Sequence, residues 1–273
     1  MGVILPDDEV LELVYWHGLQ IRWLWQHTRG FESHPRLYKN INNMIKICAI
    51  SDMHGILDFD IKPCDILCIC GDIVPLRVQT FHEGTIKWLN KEFVPWCEKQ
   101  PCERVFLIAG NHDWIAMNHP DDWEAAFKDT KITYLCDSYA EYLKQTDDTY
   151  QEISIYGTPW CHQFYNWAFM TSDTELAKIY NKIPYKVDIL MTHDCPHGTG
   201  DVILQDVPWK TDNHIGCIPL GDAVDNKKPT IMFTGHLHSV IKEPQKRGET
   251  TVINVSVVDE SYKRVYEPHY IEI

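Results

Sequence analysis

The chain contains 273 residues, of which 44% are hydrophobic and 23% are charged, and this balance is typical of one large globular domain with a small extension. Its formal net charge of -14 disfavours a general nucleic-acid-binding surface, which needs Lys and Arg in excess. A phosphate substrate stays compatible with this charge, because bound divalent cations reverse the local field.

The first 44 residues are predicted to form a helical extension and a linker. Residues 7–29 carry a broad apolar stripe that is typical of a helix, and residues 30–44 are rich in Gly, Pro and Asn, as linkers are. The broad stripe favours packing against the chain's own core over a dimer contact or a lid, although three tryptophans lie close together in it. Residues 45–273 are predicted to form a single domain.

The rest of the chain is predicted to alternate between buried strands and helices. Long apolar runs predict strands at 45–50, 66–70, 104–109, 187–191 and 230–233. Shorter strand candidates lie at 132–135, 139–143, 151–156, 251–255 and 270–273. Helices are predicted at 80–97 and 174–183, and a long loop of little periodicity at 195–229, a length that is usually functional. The strand–helix–strand rhythm indicates right-handed parallel crossovers.

The ten cysteines show neither a disulfide framework nor the paired spacing of a structural zinc site. The N-terminus has no positive segment followed by a long apolar one, so no signal peptide is predicted. No apolar run reaches the roughly 18 residues that a membrane span needs. We therefore expect reduced cysteines and a cytoplasmic protein without a membrane partner.

Polar side chains follow five of the predicted strands, directly after each apolar run ends. The five segments are Asp52-x-His54, Gly71-Asp72, Gly110-Asn111-His112-Asp113, Thr192-His193-Asp194 and Gly235-His236-x-His238. Ligands of open α/β sheets bind beyond the carboxyl ends of the strands, so these segments predict a shared site. Asp52 and His54 are two residues apart, and in an extended segment they would point the same way and reach one ion. Each segment alone is as compatible with a turn, a cap or a surface residue as with a ligand, but five together favour a site.

Asp, Asn and His side chains without Cys favour a divalent ion such as Mn, Fe or Zn. The donors are too many for one ion, and two ions that share a carboxylate would use them all. Asp72 is the most economical bridge because it stands alone on its strand. Two cations about 3.5–4 Å apart lower the pKa of a bridging water and each hold a phosphate oxygen.

The five motifs resemble the signature of the calcineurin-like metallophosphoesterases, in family order from residue 45 to 238. The segments 156–160 and 233–238 further resemble the branch called metallophosphoesterase-domain-containing proteins, which is similar to the class III cyclic nucleotide phosphodiesterases. That branch often has His-Gly-Pro-Pro after the fourth motif, whereas this chain continues from His193 as His-Asp-Cys-Pro-His-Gly. The resemblance implies an α/β fold, a four-layer αββα sandwich of two mixed β-sheets flanked by helices.

The resemblance also implies roles for the motif residues, with two divalent ions of which Mn is favoured. One ion would take Asp52, His54, Asp72 and His238, and the other would take Asp72, Asn111, His193 and His236. His112 would not be a ligand but would donate a proton to the leaving oxygen or stabilise phosphoryl charge. Asp113 would orient His112 by accepting from its other ring nitrogen, or would stabilise the turn, or both.

The leading hypothesis is a dinuclear metal-dependent phosphoesterase that uses a metal-bridging hydroxide and acts on a small phosphate ester, with a phosphodiester or nucleotide-like substrate favoured. The alternatives are a non-catalytic scaffold of this fold, or a nuclease or protein phosphatase of the same fold. A cluster of aromatic residues either stacks on a base of the substrate or belongs to the core. Its members are Trp160, Phe164, Tyr165 and Trp167.

Overall fold

A computed structural model describes residues 44–145, 150–203 and 213–273. The predicted N-terminal helix and nearly all of its linker therefore lie outside the described residues. Among the described residues, no helix is long and apolar enough to cross a membrane.

The described residues form thirteen strands, and each predicted strand is present within two residues of its expected bounds. The strands are β1 (Lys46–Ile50), β2 (Ile66–Cys70), β3 (Arg104–Ile108), β4 (Ile132–Tyr134), β5 (Ser138–Gln145), β6 (Tyr150–Thr158), β7 (Cys161–His162), β8 (Met170–Thr171), β9 (Ile189–Thr192), β10 (Ile231–Thr234), β11 (Gln245–Arg247), β12 (Thr250–Asn254) and β13 (His269–Glu272).

Most of these strands belong to two large mixed sheets. The first sheet has the order β13-β1-β2-β3-β4, and the second has the order β11-β12-β10-β9-β6-β5. The inner strands of each sheet are parallel, while β13, β11 and β5 are antiparallel additions at the edges. Because the inner strands of a sheet run in one direction, their carboxyl ends, and the motifs that follow them, lie at one edge.

The helices cover the outer faces of the sheets. They are α1 (His82–Trp88), α2 (Val94–Lys99), α3 (Trp114–Asn118), α4 (Pro120–Ala125), α5 (Asp173–Tyr180) and α6 (Ile218–Lys227). The predicted helix at 80–97 is interrupted by a π-helical turn, Leu89–Phe93. The prediction of an irregular loop at 195–229 is wrong at α6, whose glycine and two aspartates dilute the apolar period. The short helices α3 and α4 carry too few turns to show a period.

Successive side chains of a strand point to opposite faces of the sheet, and the strands thereby contribute to three apolar layers. In β1, Ile47 and Ala49 pack between the two sheets, against residues such as Ile189 of β9. Cys48 and Ile50 point the other way, toward a core shared with α1 and α2. A third core joins the outer face of the second sheet to α5 and α6. The predicted four-layer αββα sandwich is therefore confirmed.

Candidate metal centre

The two sheets face each other, and the carboxyl ends of their inner strands bring the motif residues together. The ring centroid of His54 lies 5.0 Å from that of His112 and 5.6 Å from that of His238. The rings of His193 and His236, from the second sheet, are 5.3 Å apart. The structure thus brings together side chains that follow four of the five strands.

Asp72 lies at the centre of this cluster and is almost completely buried. Its Oδ2 atom is 3.3 Å from His193 Nε2, 3.9 Å from His54 Nε2 and 4.0 Å from His112 Nε2. Its Oδ1 atom accepts a 2.7 Å hydrogen bond from the backbone N–H of His112. Burial pushes the pKa of Asp72 upward, but the neighbouring imidazoles of His193 and His112 outweigh it and hold the pKa well below its usual range. The carboxyl group is therefore ionised and faces ring nitrogens from both sheets.

Asp52 joins the ends of β1 and β10. Its two oxygens accept from the backbone N–H of His236 at 3.1 and 3.0 Å, and Oδ1 lies 3.4 Å from His238 Nε2. Possible ion-binding groups of three ligand atoms within 4.8 Å of one another include Asp52, His54 and His238, and also Asp52, Asp72 and His193. Both sets of donors contain a carboxylate and an imidazole, which suits a divalent ion.

The backbone at the site adopts the left-handed conformation at four motif residues. The φ angles are 58° at Asp52, 43° at His54, 53° at Asp72 and 63° at His236. The expectation that Asp52 and His54 project from an extended segment is therefore wrong, and turns bring them to the cluster instead. Non-glycine residues in this conformation carry strain, which concentrates at functional sites.

Gly110 makes the close approach of two loops possible. A Cβ atom at this position would collide with Asp72 Oδ1 and would lie 2.6 Å from His193 Cε1. Only a residue without a side chain leaves room for the carboxylate here.

Two of the imidazoles are held by backbone carbonyl oxygens behind them. His193 Nδ1 donates to Cys70 O at 2.7 Å, and His238 Nδ1 donates to Asp259 O at 3.1 Å. In both rings this leaves Nε2 facing a carboxylate, the arrangement that orients histidine ligands around metals. Burial disfavours a charged His193, yet Asp72 raises its pKa to about 10, so this pocket stabilises a positive charge.

His54 adds the clearest indication that the cluster fits a cation. Both of its ring nitrogens are buried and have no hydrogen-bond partner among the described residues. Such atoms are rare in folded proteins and need an explanation. Burial lowers the pKa of His54 to about 4, so the ring is neutral and offers a lone pair. The residues present therefore fit a bound divalent metal.

His112 is held by Gln79, which the sequence reasoning did not single out. His112 Nδ1 lies 2.6 Å from Gln79 Oε1, an oxygen that only accepts, so Nδ1 carries the proton and Nε2 faces the cluster. The ring of Trp167 covers His112 at a centroid distance of 4.5 Å. Burial lowers the pKa of His112. Sequence offered no signal for Gln79, because it precedes α1 and follows no strand.

The role predicted for Asp113 as the orienter of His112 needs correction. Asp113 is completely buried and accepts from the backbone N–H groups of Gly110 at 2.9 Å and of Ile73 and Val74 at 3.1 Å. It therefore clamps the loop after β3 to the loop after β2. The alternative reading, a carboxylate that stabilises the turn, is the one that the geometry supports.

Two further residues border the cluster without a sequence motif. The ring of Tyr262 lies 4.7 Å from the ring of His54 and 5.5 Å from that of His238. The buried thiol of Cys161 lies within 4.8 Å of ring nitrogens of His193 and His236, but burial raises its pKa well above the usual range. No strand-end pattern marks either residue, so only the fold reveals them.

The aromatic cluster divides between the core and the site. Trp160 is half-buried and donates from Nε1 to Asp137 at 3.0 Å, whereas Phe164 and Tyr165 are exposed. The ring of Phe164 lies 5.5 Å from that of His236. A cleft of about 370 Å³ adjoins them and is lined partly by His236, His238, Phe164 and Val240. A wider hollow of about 660 Å³ beside α4 and β4 contains none of the predicted site residues.

Asp, Asn and His side chains gather beyond the strand ends of two facing mixed sheets. This combination of fold and side chains is typical of metal-dependent hydrolases. The profile of the calcineurin-like phosphoesterase family matches residues 45–240, so the chain belongs to this family. Membership implies metal-dependent hydrolysis of a phosphoester with divalent cations.

Two curated relatives align with most of the chain. The chain is 28% identical over 254 residues to metallophosphoesterase domain-containing protein 1 of Homo sapiens, an alignment that covers 84% of this chain and 71% of that protein. It is 29% identical to a UPF0046 protein of Caenorhabditis elegans, covering 85% of this chain and 82% of that one. One solved structure superposes with a TM-score of 0.55 at 17% identity, over 78% of this chain and 90% of that chain, and supports the fold alone.

Proposed function

We propose that the protein hydrolyses a small phosphate ester with two divalent cations that share Asp72. One cation is held by Asp52, His54, Asp72 and His238, and the other by Asp72, Asn111, His193 and His236. The observation that carries this proposal is the position of Asp72 Oδ2, which is within 4 Å of ring nitrogens from both sets. When bound, the cations supply Lewis-acid stabilisation of the phosphoryl oxygens and an acidified water. The carboxylate and amide oxygens suit Mn and the imidazoles suit Fe or Zn, so the donors are compatible with all three metals, of which we favour Mn.

The chain's own contribution to the chemistry centres on His112. Gln79 holds the Nδ1 proton, so Nε2 faces the space beside Asp72. In the imidazolium form, which carries a second proton on Nε2, His112 either delivers that proton to the departing oxygen and returns to the Nδ1–H tautomer that Gln79 holds, or donates a hydrogen bond to a phosphoryl oxygen. Trp167 packs on the ring and keeps it from rotating away. His112 is therefore the candidate catalytic residue, and Gln79 is its positioning residue.

The surroundings of His236 support a phosphodiester with a planar group over a simple monoester. The ring of Phe164 lies 5.5 Å from that of His236 at the wall of the cleft, and Tyr165 beside it is exposed. Exposed aromatic rings beside a charged site are suited to stacking on a base or an aryl group. The net charge of -14 supports a small substrate over a long nucleic acid.

The test is a comparison of esters with the Mn²⁺-loaded protein. We expect turnover of an aryl phosphodiester to exceed that of the matching monoester. His112→Ala should lower turnover roughly a hundredfold or more while metal content stays near normal, whereas His236→Ala should lower both. His269→Ala, on β13 and outside the cluster, serves as the matched control and should behave like the parent.

Leaving-group dependence separates the two roles of His112. If it protonates the leaving oxygen, esters of acidic alcohols should suffer less from His112→Ala than esters of poor leaving groups. If it stabilises phosphoryl charge, both should suffer alike. The proposal fails if His112→Ala loses metal as His236→Ala does, or if the parent turns over no phosphate ester at all.

A further inference from the structure

Two cysteines lie side by side at the amino ends of β2 and β3. These strands are parallel, and their register aligns Ile66 with Arg104. Two residues earlier in each segment, the same register aligns Cys64 with Cys102. The backbone N–H of Cys64 donates to Pro101 O at 3.0 Å, which continues the pairing as far as the cysteines. Neighbouring strands lie about 4.7–4.9 Å apart, and a disulfide joins residues whose Cα atoms are about 4.4–6.8 Å apart.

Both thiols pack against the same core and are within reach of solvent. Cys64 and Cys102 are partly exposed, and each borders the core that β1 shares with α1 and α2. The remaining cysteines are buried except Cys136, which is exposed. In the part of the chain that the structure describes, neither thiol of the pair belongs to a group of three potential metal ligands. The pair is therefore suited to a bond between its two sulfur atoms rather than to holding an ion.

Lys131 places a positive charge beside Cys102. Its Nζ atom donates to the backbone oxygens of Gln100 at 2.7 Å and of Cys102 at 3.2 Å. Hydrogen bonding to the Cys64 thiol and the ammonium of Lys131 together lower the pKa of Cys102, against the opposing effect of burial. The same hydrogen bond and burial raise the pKa of Cys64 well above its usual value. Cys102 is thus favoured as a thiolate and Cys64 as a thiol.

These features are typical of a cysteine pair that responds to peroxide. The thiolate is the reacting form of cysteine, and an accessible thiolate beside a second cysteine is the one that oxidises reversibly. We propose that Cys64 and Cys102 form a reversible disulfide when the protein meets a peroxide. The pair lies at the opposite ends of β2 and β3 from Asp72 and Asn111, so the modification is independent of the proposed hydrolysis.

The oxidation proceeds in two steps. The Cys102 thiolate attacks one oxygen of hydrogen peroxide, the O–O bond breaks, and the products are Cys102 sulfenic acid and hydroxide. The Cys64 sulfur then attacks the sulfenic sulfur, so that the S–S bond forms, the S–O bond breaks, and the thiol proton leaves with the oxygen as water. Two electrons pass from the two sulfur atoms to the peroxide, which is the oxidant. A dithiol reductant reverses the reaction by thiol–disulfide exchange.

The test is non-reducing peptide mapping of the full-length protein after exposure to hydrogen peroxide, with free thiols blocked by a maleimide during denaturation. We expect a peptide that links Cys64 to Cys102, the loss of two blockable thiols per chain, and recovery of both after dithiothreitol. In Cys64→Ser the linked peptide should disappear, and a sulfenic acid that dimedone traps should accumulate on Cys102. Cys136→Ser is the matched control and should form the linked peptide as the parent does.

Rates provide a second readout that a merely structural contact would not move. Cys102 of the parent should react with peroxide roughly tenfold faster than Cys136, because its thiolate fraction is larger. Lys131→Met keeps both cysteines but removes the ammonium, so the linked peptide should form several-fold more slowly. The proposal is overturned if the parent forms no linked peptide at peroxide concentrations that oxidise Cys136, or if Lys131→Met forms it at the parental rate. Either result leaves the proposed function untouched, since its test uses turnover and metal content.

Discussion

Replacing Asp113 with alanine tests whether this residue clamps two loops or orients His112. The carboxylate is completely buried and accepts from three backbone N–H groups, those of Gly110, Ile73 and Val74. Each buried donor left without a partner costs about 1–3 kcal/mol. With partial relaxation we expect Asp113→Ala to lower the free energy of unfolding by about 4 kcal/mol, a fall in Tm of roughly 10 °C. Thermal unfolding in the presence of a chelator measures this without a contribution from metal binding.

Turnover distinguishes the two roles. In folded Asp113→Ala saturated with Mn²⁺, kcat should fall far less than in His112→Ala, because Gln79 still holds His112. Asp121→Ala, an exposed carboxylate on α4, is the matched control and should change stability by no more than about 0.5 kcal/mol. A variant with parental Tm and a loss of kcat equal to that of His112→Ala would refute the clamp and restore the orienting role.

Three further changes test other parts of the site. Gln79→Leu should lower kcat about tenfold, the effect of losing one hydrogen bond to His112, with Mn²⁺ content unchanged; a parental kcat would contradict the positioning role. Gly110→Ala should reduce Mn²⁺ content, because its Cβ collides with Asp72, and normal occupancy would show that the loop adjusts freely. Burial lowers the pKa of Lys242 from 10.5 to about 8, so at this group the unfolded chain binds more protons between these values and its contribution to stability rises with pH. Urea unfolding of chelated parent and Lys242→Met at pH 8 and 10.5 should show that the parent gains on the order of 3 kcal/mol relative to the variant, and parallel curves would contradict it.

The strands and the polar residues at their ends could be predicted from the sequence because both depend on local patterns, whereas the arrangement of the strands in two facing sheets was implied by the resemblance to the family. The uninterrupted apolar run of β1 reports a strand that is buried on both faces. Polar residues directly after an apolar run report the strand end, and parallel strands then bring those ends together. These signals lie within a few residues of one another, so they are visible without knowledge of the fold.

The partners of individual side chains depend on which distant segments meet, and the sequence did not reveal them. Gln79 contacts His112 across 33 residues, and Tyr262 reaches His54 from a loop far along the chain. Asp113 accepts from backbone groups about 40 residues away, which explains why a motif neighbour was mistaken for the partner of His112. Backbone turns at Asp52 and His54 likewise replace the extended segment that spacing alone suggested.

Counting Mn²⁺ ions per chain tests the central claim, that two cations share Asp72. Elemental analysis of the reconstituted parent should find about two equivalents, as expected for a two-metal site. Asp72→Asn removes the charge that both ions would share, so it should lose affinity for both, whereas His236→Ala should lose mainly one. A firm limit of one ion in the parent, or an Asp72→Asn variant that keeps one ion at parental affinity, would contradict the shared carboxylate.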